Sequence, residues 1–362
     1  MDGLTSRVIS FIRFPMMAAV VVIHCNIVLL HPELESRTLF SFLFLLTQKL
    51  AWVSLPIFFF ISGLLFFKEG TFNITLYKTK LCKRIYTLLI PYILWNVLYF
   101  CIIAILQYFK PDVLLLLHKQ IADFSLTDYL WIFWDVRQIS HLADDQPTCL
   151  VGVFWFIQCL FLSILLSPVI YKLIQFTRHF FILLFFALCL IDYQMDIPGV
   201  NNMGIAYFCL GAYISIMHIN LIGYLRRIPL WTVIAIILIS LFSILIDNEY
   251  IAFFSSLLLQ ICVLSLVTYM IEYHHCHEYT LLTSSVFFIF AVHRLFTAPL
   301  MHISNNILNH IDNDILLFLY YLFIISIAIL LSIAIFWIMN RYMPRITNVM
   351  SGNHSVIEQS SS

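Results

Sequence analysis

Ten runs of apolar residues follow one another along this chain, and most of them are close to twenty residues long. About 20 apolar residues is the length that an α-helix needs to cross the hydrocarbon core of a bilayer. The runs cover residues 8–30, 44–67, 85–109, 150–171, 179–192, 202–218, 229–246, 250–271, 282–302 and 315–340. Because helices satisfy their own backbone hydrogen bonds in lipid, the pattern predicts an all-α, polytopic transmembrane bundle of about ten helices. The fifth run is short, so nine or eleven spans remain possible.

The composition is that of a membrane protein. The 362 residues are 62% hydrophobic and 10% charged, with a mean hydropathy of +0.97, whereas a soluble domain carries about 25% charged residues. The 19 basic and 19 acidic residues balance, so the net charge gives no support for nucleic-acid binding. The nine cysteines are scattered, mostly within the runs, and predict buried thiols instead of disulfides.

Basic residues are distributed unevenly between alternate loops. With a cytoplasmic amino terminus, twelve basic side chains fall inside and five fall outside, in agreement with the positive-inside rule. The inner group is Arg7, Lys68, Lys78, Lys80, Lys83, Arg84, Lys172, Arg178, Arg226, Arg227, Arg341 and Arg345, and the outer group is Arg37, Lys49, Lys110, Lys119 and Arg137. The bias predicts that both termini are cytoplasmic, and the first run is expected to remain as an anchor.

One predicted outer loop, residues 110–149, is long and rich in aromatic residues. It carries Trp131, Trp134, His141, Asp144 and Asp145. Either it covers a site, or Leu126 to Val136 form an interfacial amphipathic helix that is anchored by tryptophans. No linker marks a second domain, so residues 1–345 are predicted to be one transmembrane domain and residues 346–362 a loosely ordered cytoplasmic tail.

The first run contains two ionisable residues, Arg13 and His24. Eleven residues are close to three turns of α-helix, so both side chains lie on one face, with the imidazole about 16 Å deeper than the guanidinium. An ionisable group inside a span costs about 2.5 to 3.5 kcal/mol, so the pair indicates a catalytic or transport site. Taken singly, Arg13 is also explained by snorkelling to the interface, and His24 by hydrogen-bonded packing.

Six segments, in order along the chain, resemble one known family. FIRFPMMAAVVVIHC, which contains Arg13 and His24, resembles the R-x10-H signature of the integral-membrane acyltransferase family 3. The other five are PIFFFISGLLFF (Pro56 to Phe67), KRIYTLLIPYILWN (Lys83 to Asn96), VFWFIQCLFL (Val153 to Leu162), YFCLGAYIS (Tyr207 to Ser215) and FFIFAVH (Phe287 to His293). Thr87 stands where many members have an arginine, and Gln158 and Cys159 stand where an Arg-Asp pair is common. Each string alone is weakly specific, and their order and topology carry the resemblance.

The resemblance implies a membrane-bound enzyme. Members of this family are bacterial proteins with ten membrane helices and cytoplasmic termini, and they move acyl groups from cytoplasmic acyl-CoA onto hydroxyls of surface glycans and lipids. The chain is therefore expected to be a multi-pass O-acyltransferase of the inner membrane, with acetyl-CoA as the favoured donor. Its partners would be membrane lipids and a glycan, glycolipid or other hydroxyl-bearing envelope acceptor. The acceptor's identity, the acyl chain and the oligomeric state stay open.

Acyl transfer gives chemical roles to the same residues. A hydroxyl must lose its proton as it attacks a thioester, and an imidazole suits that task, so His24 is the candidate general base. The phosphates of CoA need cations at the cytoplasmic mouth, where the predicted topology places Arg13, Lys80, Lys83 and Arg84. Arg13 could instead polarise the thioester carbonyl.

A second histidine, His293, lies mid-span and is followed by Arg294. It is a further catalytic candidate that would bind acceptor, orient His24 or carry a second proton transfer, and a structural histidine is the alternative. Ser62, beside Gly63, and Trp155 are expected to line the site. The string His274, His275, Cys276 and His277 contains metal-ligand residue types. It has no second ligand cluster elsewhere, so no metal site is expected.

Other functions remain open. A transporter or flippase of glycans or small acids would also use ten helices and buried polar residues, although the two corresponding halves typical of transporters are not visible here. A membrane scaffold would leave Arg13 and His24 dispensable. Within the enzyme class, the acyl group is either transferred directly or held first by the protein and passed to an acceptor at the outer face.

Overall fold

The computed structural model describes residues 3–110, 117–140, 147–190, 196–243, 246, 248–274, 276–308 and 310–353. His141, Asp144, Asp145 and His275 lie outside these residues, as does the tail from residue 354. The described residues form α-helices and short turns without a strand, apart from one isolated antiparallel bridge between Leu117 and Ser140. The predicted all-α class is confirmed.

Seventeen α-helices are present in the described part of the chain. The first nine are α1 Gly3–His24, α2 Thr38–Trp52, α3 Ser54–Phe66, α4 Ile74–Arg84, α5 Ile90–Phe109, α6 Leu126–Trp131, α7 Trp155–Leu165, α8 Ser167–Thr177 and α9 Phe181–Leu190. The other eight are α10 Asn202–Ile216, α11 Leu221–Leu225, α12 Leu230–Phe242, α13 Glu249–Tyr273, α14 Thr280–Ile303, α15 Asn305–Leu308, α16 Asp314–Tyr342 and α17 Pro344–Met350. A π-helical turn, Ile85–Leu89, joins α4 to α5. Short 3-10 turns cover Ile27–Leu29, Pro32–Ser36, Ile121–Asp123, Val136–Gln138, Gly152–Phe154 and Arg178–Phe180.

Ten apolar helical stretches correspond in order to the ten predicted runs. Seven of the described stretches are long and apolar enough to cross a membrane: Gly3–Leu29, Thr38–Phe66, Ile74–Phe109, Ser167–Leu190, Tyr250–Tyr273, Thr280–Ile303 and Asp314–Tyr342. Three more are apolar but shorter: Gly152–Leu165, Asn202–Ile216 and Leu230–Phe242. The polytopic helical character is therefore confirmed, while the number of spans and the side of the termini stay predictions.

One predicted boundary is wrong. The fourth run was expected to continue to residue 171, but α7 ends at Leu165 and α8 begins at Ser167. Pro168 lies in the first turn of α8, a position where the missing N–H of proline costs no helical hydrogen bond. The last residues of the predicted run therefore belong to the next helix.

The chain divides into two compact units. The first contains the residues up to Ile61 together with His218–Tyr342. In it, α1 packs against α2, α13, α14 and α16, and α14 packs along α16. Gln48 on α2 connects three of these helices, because its Nε2 donates to the Val22 carbonyl at 3.1 Å and to the Tyr321 hydroxyl at 3.2 Å. Helix α1 is thus enclosed by neighbouring helices, as its ionisable side chains require.

The second unit contains Ser62–Met217 and the chain from Met343 onwards. Helix α10 packs here against α7, α8 and α9. At Gly63 the chain approaches α10 so closely that a Cβ would lie 1.9 Å from the Phe208 carbonyl oxygen. A small residue at this position therefore permits the close approach of the two helices.

The described residues of the predicted outer loop, 117–140 and 147–149, are folded. Helix α6 has a capping box formed by Ser125 and Asp128, and it ends well before Val136, where the interfacial helix was expected to end. Beyond α6, a buried cluster forms from Leu117, Ile132, Val136, Ile139 and Leu150 and packs against Tyr99, Phe100 and Ile103 of α5. The predicted helix of Leu126 to Val136 is therefore shorter than expected, because its last residues turn into this cluster. Its position at the membrane interface stays a prediction.

Polar contacts fasten the same loop to α5. Tyr92 donates its hydroxyl hydrogen to the Phe133 carbonyl, and the Asn96 Oδ1 accepts the backbone N–H of Val151 at 3.1 Å. Both anchors lie in the first third of α5, so the loop reaches along that helix towards its amino-terminal end.

The carboxyl-terminal helix is packed, so order extends beyond the predicted start of the tail at residue 346. The Trp95 indole donates to the Met350 carbonyl at 3.0 Å. Gly352 follows in the left-handed region with φ +66, and a Cβ there would lie 2.2 Å from the Thr87 carbonyl oxygen. Ordered packing therefore continues through α17 into the residues just after it.

Candidate active site

Arg13 and His24 lie on one continuous α-helix, α1, although Pro15 interrupts its hydrogen bonding. Their spacing of eleven residues corresponds to about 16 Å along the axis and to nearly the same direction around it. His24 is the last residue of the helix, and the chain then changes to a 3-10 turn at Ile27. The imidazole is therefore at the negative end of the helix dipole, which favours a positive charge there.

The second histidine lies beside the first. The rings of His24 and His293 have centroids 5.3 Å apart and planes tilted by 38°. His24 is partly buried, whereas His293 on α14 is 0% exposed. Of the three catalytic candidates, the structure thus brings two together, across 269 residues of sequence.

Backbone carbonyls fix the tautomer of His293. Its Nδ1 lies 2.9 Å from the Phe290 carbonyl oxygen and 3.1 Å from that of Ile289. Because a carbonyl oxygen only accepts, Nδ1 must carry the hydrogen, and Nε2 of the neutral ring keeps its lone pair. That Nε2 is buried and has no partner among the described residues. An unpaired buried acceptor costs free energy, so it marks a place where a donor is expected.

Arg294 connects the same two helices. Its guanidinium Nη1 donates to the His24 backbone carbonyl at 3.4 Å. That carbonyl is one of the groups that the end of a helix leaves without an internal donor. Arg294 thus caps α1 at the residue whose side chain is the candidate base, and its positive charge opposes the effect of the helix dipole there.

Two further buried polar atoms lie close by in sequence. Asn26 Oδ1, two residues beyond His24, and Thr297 Oγ1, one helical turn beyond His293, have no partner among the described residues. Other buried hydroxyls on helices donate to the carbonyl four residues back; Thr268, for example, donates to Leu264 at 2.7 Å. Sequence reasoning missed Asn26 and Thr297, although the four-residue spacing from His293 to Thr297 places both on one helix face.

Arg13 is partly buried and has no hydrogen-bonded partner among the described residues. The charge that acts on it most is that of Glu278, an exposed residue two positions before α14. Glu278 lies directly after His277, so the histidine-rich string immediately precedes, in sequence, the carboxylate that acts on Arg13. In the described part of the chain, no group of three or more potential ligands could hold a metal.

The predicted CoA-binding cations on α4 belong to the second unit, and they differ in their exposure and in their ion pairing. The amine of Lys80 donates to the Glu69 carboxylate and to the Phe66 carbonyl, and it lies 5.3 Å from the centre of the Phe66 ring. Lys83 is exposed, and Arg84 is partly buried. Sequence reasoning missed the pairing of Lys80 with Glu69, which leaves Lys83 as the more accessible cation.

Ser62 and Trp155, expected to line the site, also belong to the second unit. Ser62 is partly buried and precedes Gly63 at the close approach to α10. Trp155 opens α7, partly buried, with its ring 6.4 Å from that of Phe156. Their expected role stays a prediction.

A family comparison accounts for nearly the whole chain. The model of the acyltransferase domain called Acyl_transf_3 matches residues 8–337. The chain belongs to acyltransferase family 3. This family match covers α1 through most of α16 and includes every candidate site residue named above. No curated protein and no solved structure matches the sequence.

Proposed function

We propose that this acyltransferase is an acyl-CoA-dependent O-acyltransferase of a bacterial inner membrane. It takes an acyl group, with acetyl favoured, from cytoplasmic acyl-CoA to a hydroxyl of an envelope glycan or glycolipid. Family membership supports acyl transfer. The observation that carries the mechanism is the pair of histidines, with the partly buried His24 next to the backbone-oriented His293.

His24 acts as the general base. The acceptor hydroxyl gives its proton to the imidazole while its oxygen bonds to the thioester carbonyl carbon. The C–S bond then breaks, and the CoA thiolate leaves and takes the proton back from the imidazolium to become a thiol. A positioned base of this kind contributes about 10²- to 10⁴-fold to a rate.

His293 orients the base. During the reaction its Nε2, which is unpaired among the described residues, accepts a hydrogen bond from the N–H of His24 once the two rings draw closer. The other nitrogen of His24 then keeps the lone pair that takes the proton from the acceptor. The ring separation of 5.3 Å and the unpaired Nε2 support this role. The arrangement follows the general rule that the hydrogen bond at one imidazole nitrogen sets the function of the other.

Arg13 binds the donor. Its guanidinium lacks a hydrogen-bonded partner among the described residues, and arginine suits the bidentate geometry of a phosphate. On α4 of the second unit, Lys83 and Arg84 are further cations proposed to bind CoA, and Lys80 contributes only after it separates from Glu69. If Arg13 instead polarises the thioester carbonyl, Arg13→Lys should lower kcat more than it raises the KM for acyl-CoA.

The test uses the purified full-length protein in detergent with labelled acetyl-CoA and candidate envelope glycans. His24→Ala should lower acyl transfer by about 100-fold or more, whereas His310→Ala, which removes an exposed histidine of the same unit, should not. Equal activity of the His24→Ala protein would overturn the assignment of the base. Movement of glycan across a vesicle membrane without consumption of CoA would instead favour the transporter.

Two further measurements refine the proposal. A labelled acyl-protein adduct that forms and then disappears upon addition of acceptor would favour the relay over direct transfer. Mass spectrometry of envelope glycans and lipids from cells with and without the protein would identify the acceptor, and an unchanged set of acyl groups would contradict an envelope acceptor.

A further inference from the structure

The first unit contains a lysine within an apolar helical stretch that none of the roles above uses. Lys49 is on α2, inside the membrane-spanning candidate Thr38–Phe66, and it is partly exposed. Its neighbours on the same helix face, Leu45 and Trp52, are 52% and 54% exposed. Exposed apolar side chains of a membrane-spanning helix face hydrocarbon. Lys49 therefore opens towards lipid, where a charged group is costly unless it has a partner.

Serine hydroxyls of the α12–α13 hairpin contact the amine. Lys49 Nζ donates to Ser243 Oγ. The Ser243 hydroxyl lies 2.7 Å from the Ser240 carbonyl oxygen and 2.9 Å from Ser255 Oγ, and it donates its own hydrogen to one or both of them. An ammonium carries three hydrogens, and Ser243 uses one of them. Two hydrogens of Lys49 are left for a further acceptor.

The charge of Lys49 is only partly balanced. Ser243 comes directly after the last residue of α12, so the negative end of that helix dipole favours a positive charge at the amine. A full negative charge is missing, because none of the ion pairs among the described residues includes Lys49. Arg37, which precedes the same helix, is by contrast paired with Asp314. Charge complementarity therefore calls for an anion at Lys49.

The amine and the hydroxyls lie near the ends of their apolar runs. Lys49 and Ser255 are five residues inside the runs that begin at 44 and 250, and Ser243 is three residues from the end of the run at 246. These distances are roughly 5 to 8 Å along a helix axis. From that depth a lysine can extend its amine to the interface, where the phosphates of lipid headgroups lie.

The apolar surroundings favour a lipid over a free anion. A soluble anion would lose hydration at a site bordered by Leu45 and Trp52. A lipid brings its phosphate to the same depth without leaving the membrane, and its chains cover the exposed apolar side chains.

We propose that Lys49 binds the phosphate of an anionic membrane lipid, whose chains lie along the exposed apolar face of α2. The phosphate oxygens accept the two ammonium hydrogens that Ser243 leaves, and Lys49 acts as a point charge for the phosphate. The positive-inside rule predicts this end of the helices to be the outer one, so the lipid belongs to the outer leaflet.

The test is photolabelling of the full-length protein in an uncharged detergent. Two probes carry a diazirine in identical acyl chains: phosphatidylglycerol, and diacylglycerol, which lacks the phosphate. Phosphatidylglycerol should label the peptide that contains Leu45 and Trp52 at least tenfold more, because a hydrogen bond to a charged group gives roughly 10- to 100-fold in affinity. Equal labelling by the two probes would overturn the proposal.

Three variants decide the role of the lysine. Lys49→Met should abolish the preference for phosphatidylglycerol, and Lys49→Arg should keep it, because arginine also binds phosphate. Arg341→Met, which removes an exposed cation of the same unit on α16, should keep it as well. A preference that survives Lys49→Met would overturn the proposal; if that protein does not fold, the comparison of the two probes on the unchanged protein still decides.

A competition experiment separates the two sources of phosphate. Unlabelled phosphatidylglycerol should displace the probe from the α2 peptide, whereas glycerol phosphate at the same concentration should not. Equal displacement by glycerol phosphate would show a site for a free anion and would overturn the assignment to a lipid.

The measurement is independent of acyl transfer. It uses neither acyl-CoA nor an acceptor glycan, so a protein that transfers no acyl group can still show the preference for the phosphate. Conversely, loss of the preference would leave the roles of His24 and His293 untouched.

Discussion

The Nδ1 of His293 donates to the Phe290 carbonyl at 2.9 Å, and this hydrogen bond turns the opposite nitrogen of the ring away from its own helix backbone. The neighbour of that ring is His24 on α1, at 5.3 Å between centroids. A histidine held in this way presents one lone pair in a fixed direction. We therefore expect His293 to act through His24 as a positioning residue.

His293→Ala should lower kcat at least tenfold, equivalent to about 1.4 kcal/mol, and should leave the KM for acyl-CoA nearly unchanged. It should also move the pH at which the rate falls, because the base loses the neighbour that sets its tautomer. Steady-state kinetics across a pH series measures both effects. His302→Ala, an exposed histidine on the same helix, is the matched control, and an unchanged pH profile in His293→Ala would contradict the positioning role.

Thr297→Val should leave stability unchanged or raise it, because the Thr297 hydroxyl has no partner to lose among the residues that the structure describes. If the hydroxyl faces the acceptor, the KM for acceptor should rise at least tenfold. Thr268→Val is the control, since that equally buried hydroxyl donates to the Leu264 carbonyl and should affect stability without affecting KM. A KM that changes in neither protein would exclude Thr297 from acceptor binding.

Gly63→Ala should destabilise the second unit. The added Cβ would lie 1.9 Å from the Phe208 carbonyl oxygen, so the two helices must separate, and overpacking of this kind costs about 1 to 3 kcal/mol. Gly152→Ala is the matched control because a Cβ there meets nothing within 4 Å. Thermal unfolding in detergent compares the two, and equal midpoints would contradict the close helix approach.

Asp128 should make the folded loop sensitive to acid. Its pKa is lowered from the usual value to about 2 by hydrogen bonds from Lys119 and Ser125. The folded pKa is below that of the unfolded chain, so the stabilisation is complete above about pH 4 and is lost as the pH falls towards 2. The protection of loop peptides from hydrogen exchange, measured against their intrinsic exchange rate at each pH, should therefore fall over that window. Asp128→Asn should remove this dependence, and an unchanged dependence would contradict it.

Much of the fold could be predicted because lipid imposes a simple rule on apolar runs. Most of the helical stretches follow the predicted runs closely. The boundary between α7 and α8 was misplaced, since Leu166, Val169 and Ile170 continue the apolar run beyond the end of α7. Pro168 was the signal in the sequence for a new helix. A proline in the first turn favours a helix start, but only where the chain before it has already turned.

The candidate site could likewise be predicted only in part. The spacing of Arg13 and His24 is local, so periodicity alone placed them on one helix face. The proximity of His24 to His293 is a tertiary contact between distant segments, which spacing along one sequence cannot give. The unpaired atoms of Asn26 and Thr297 and the pairing of Lys80 with Glu69 likewise depend on packing.

The contacts of Trp95 with Met350 and of Thr87 with Gly352 have a consequence for biosynthesis. More than 250 residues separate the two sides of the Trp95 contact, so Met350 is translated long after Trp95. The contact of Trp95 on α5 must therefore wait while the larger segment of the first unit, His218–Tyr342, is translated. A stop codon that removes α17 should leave a product in which Trp95 on α5 has lost its partner Met350. Such a product is expected to be a target for membrane proteolysis.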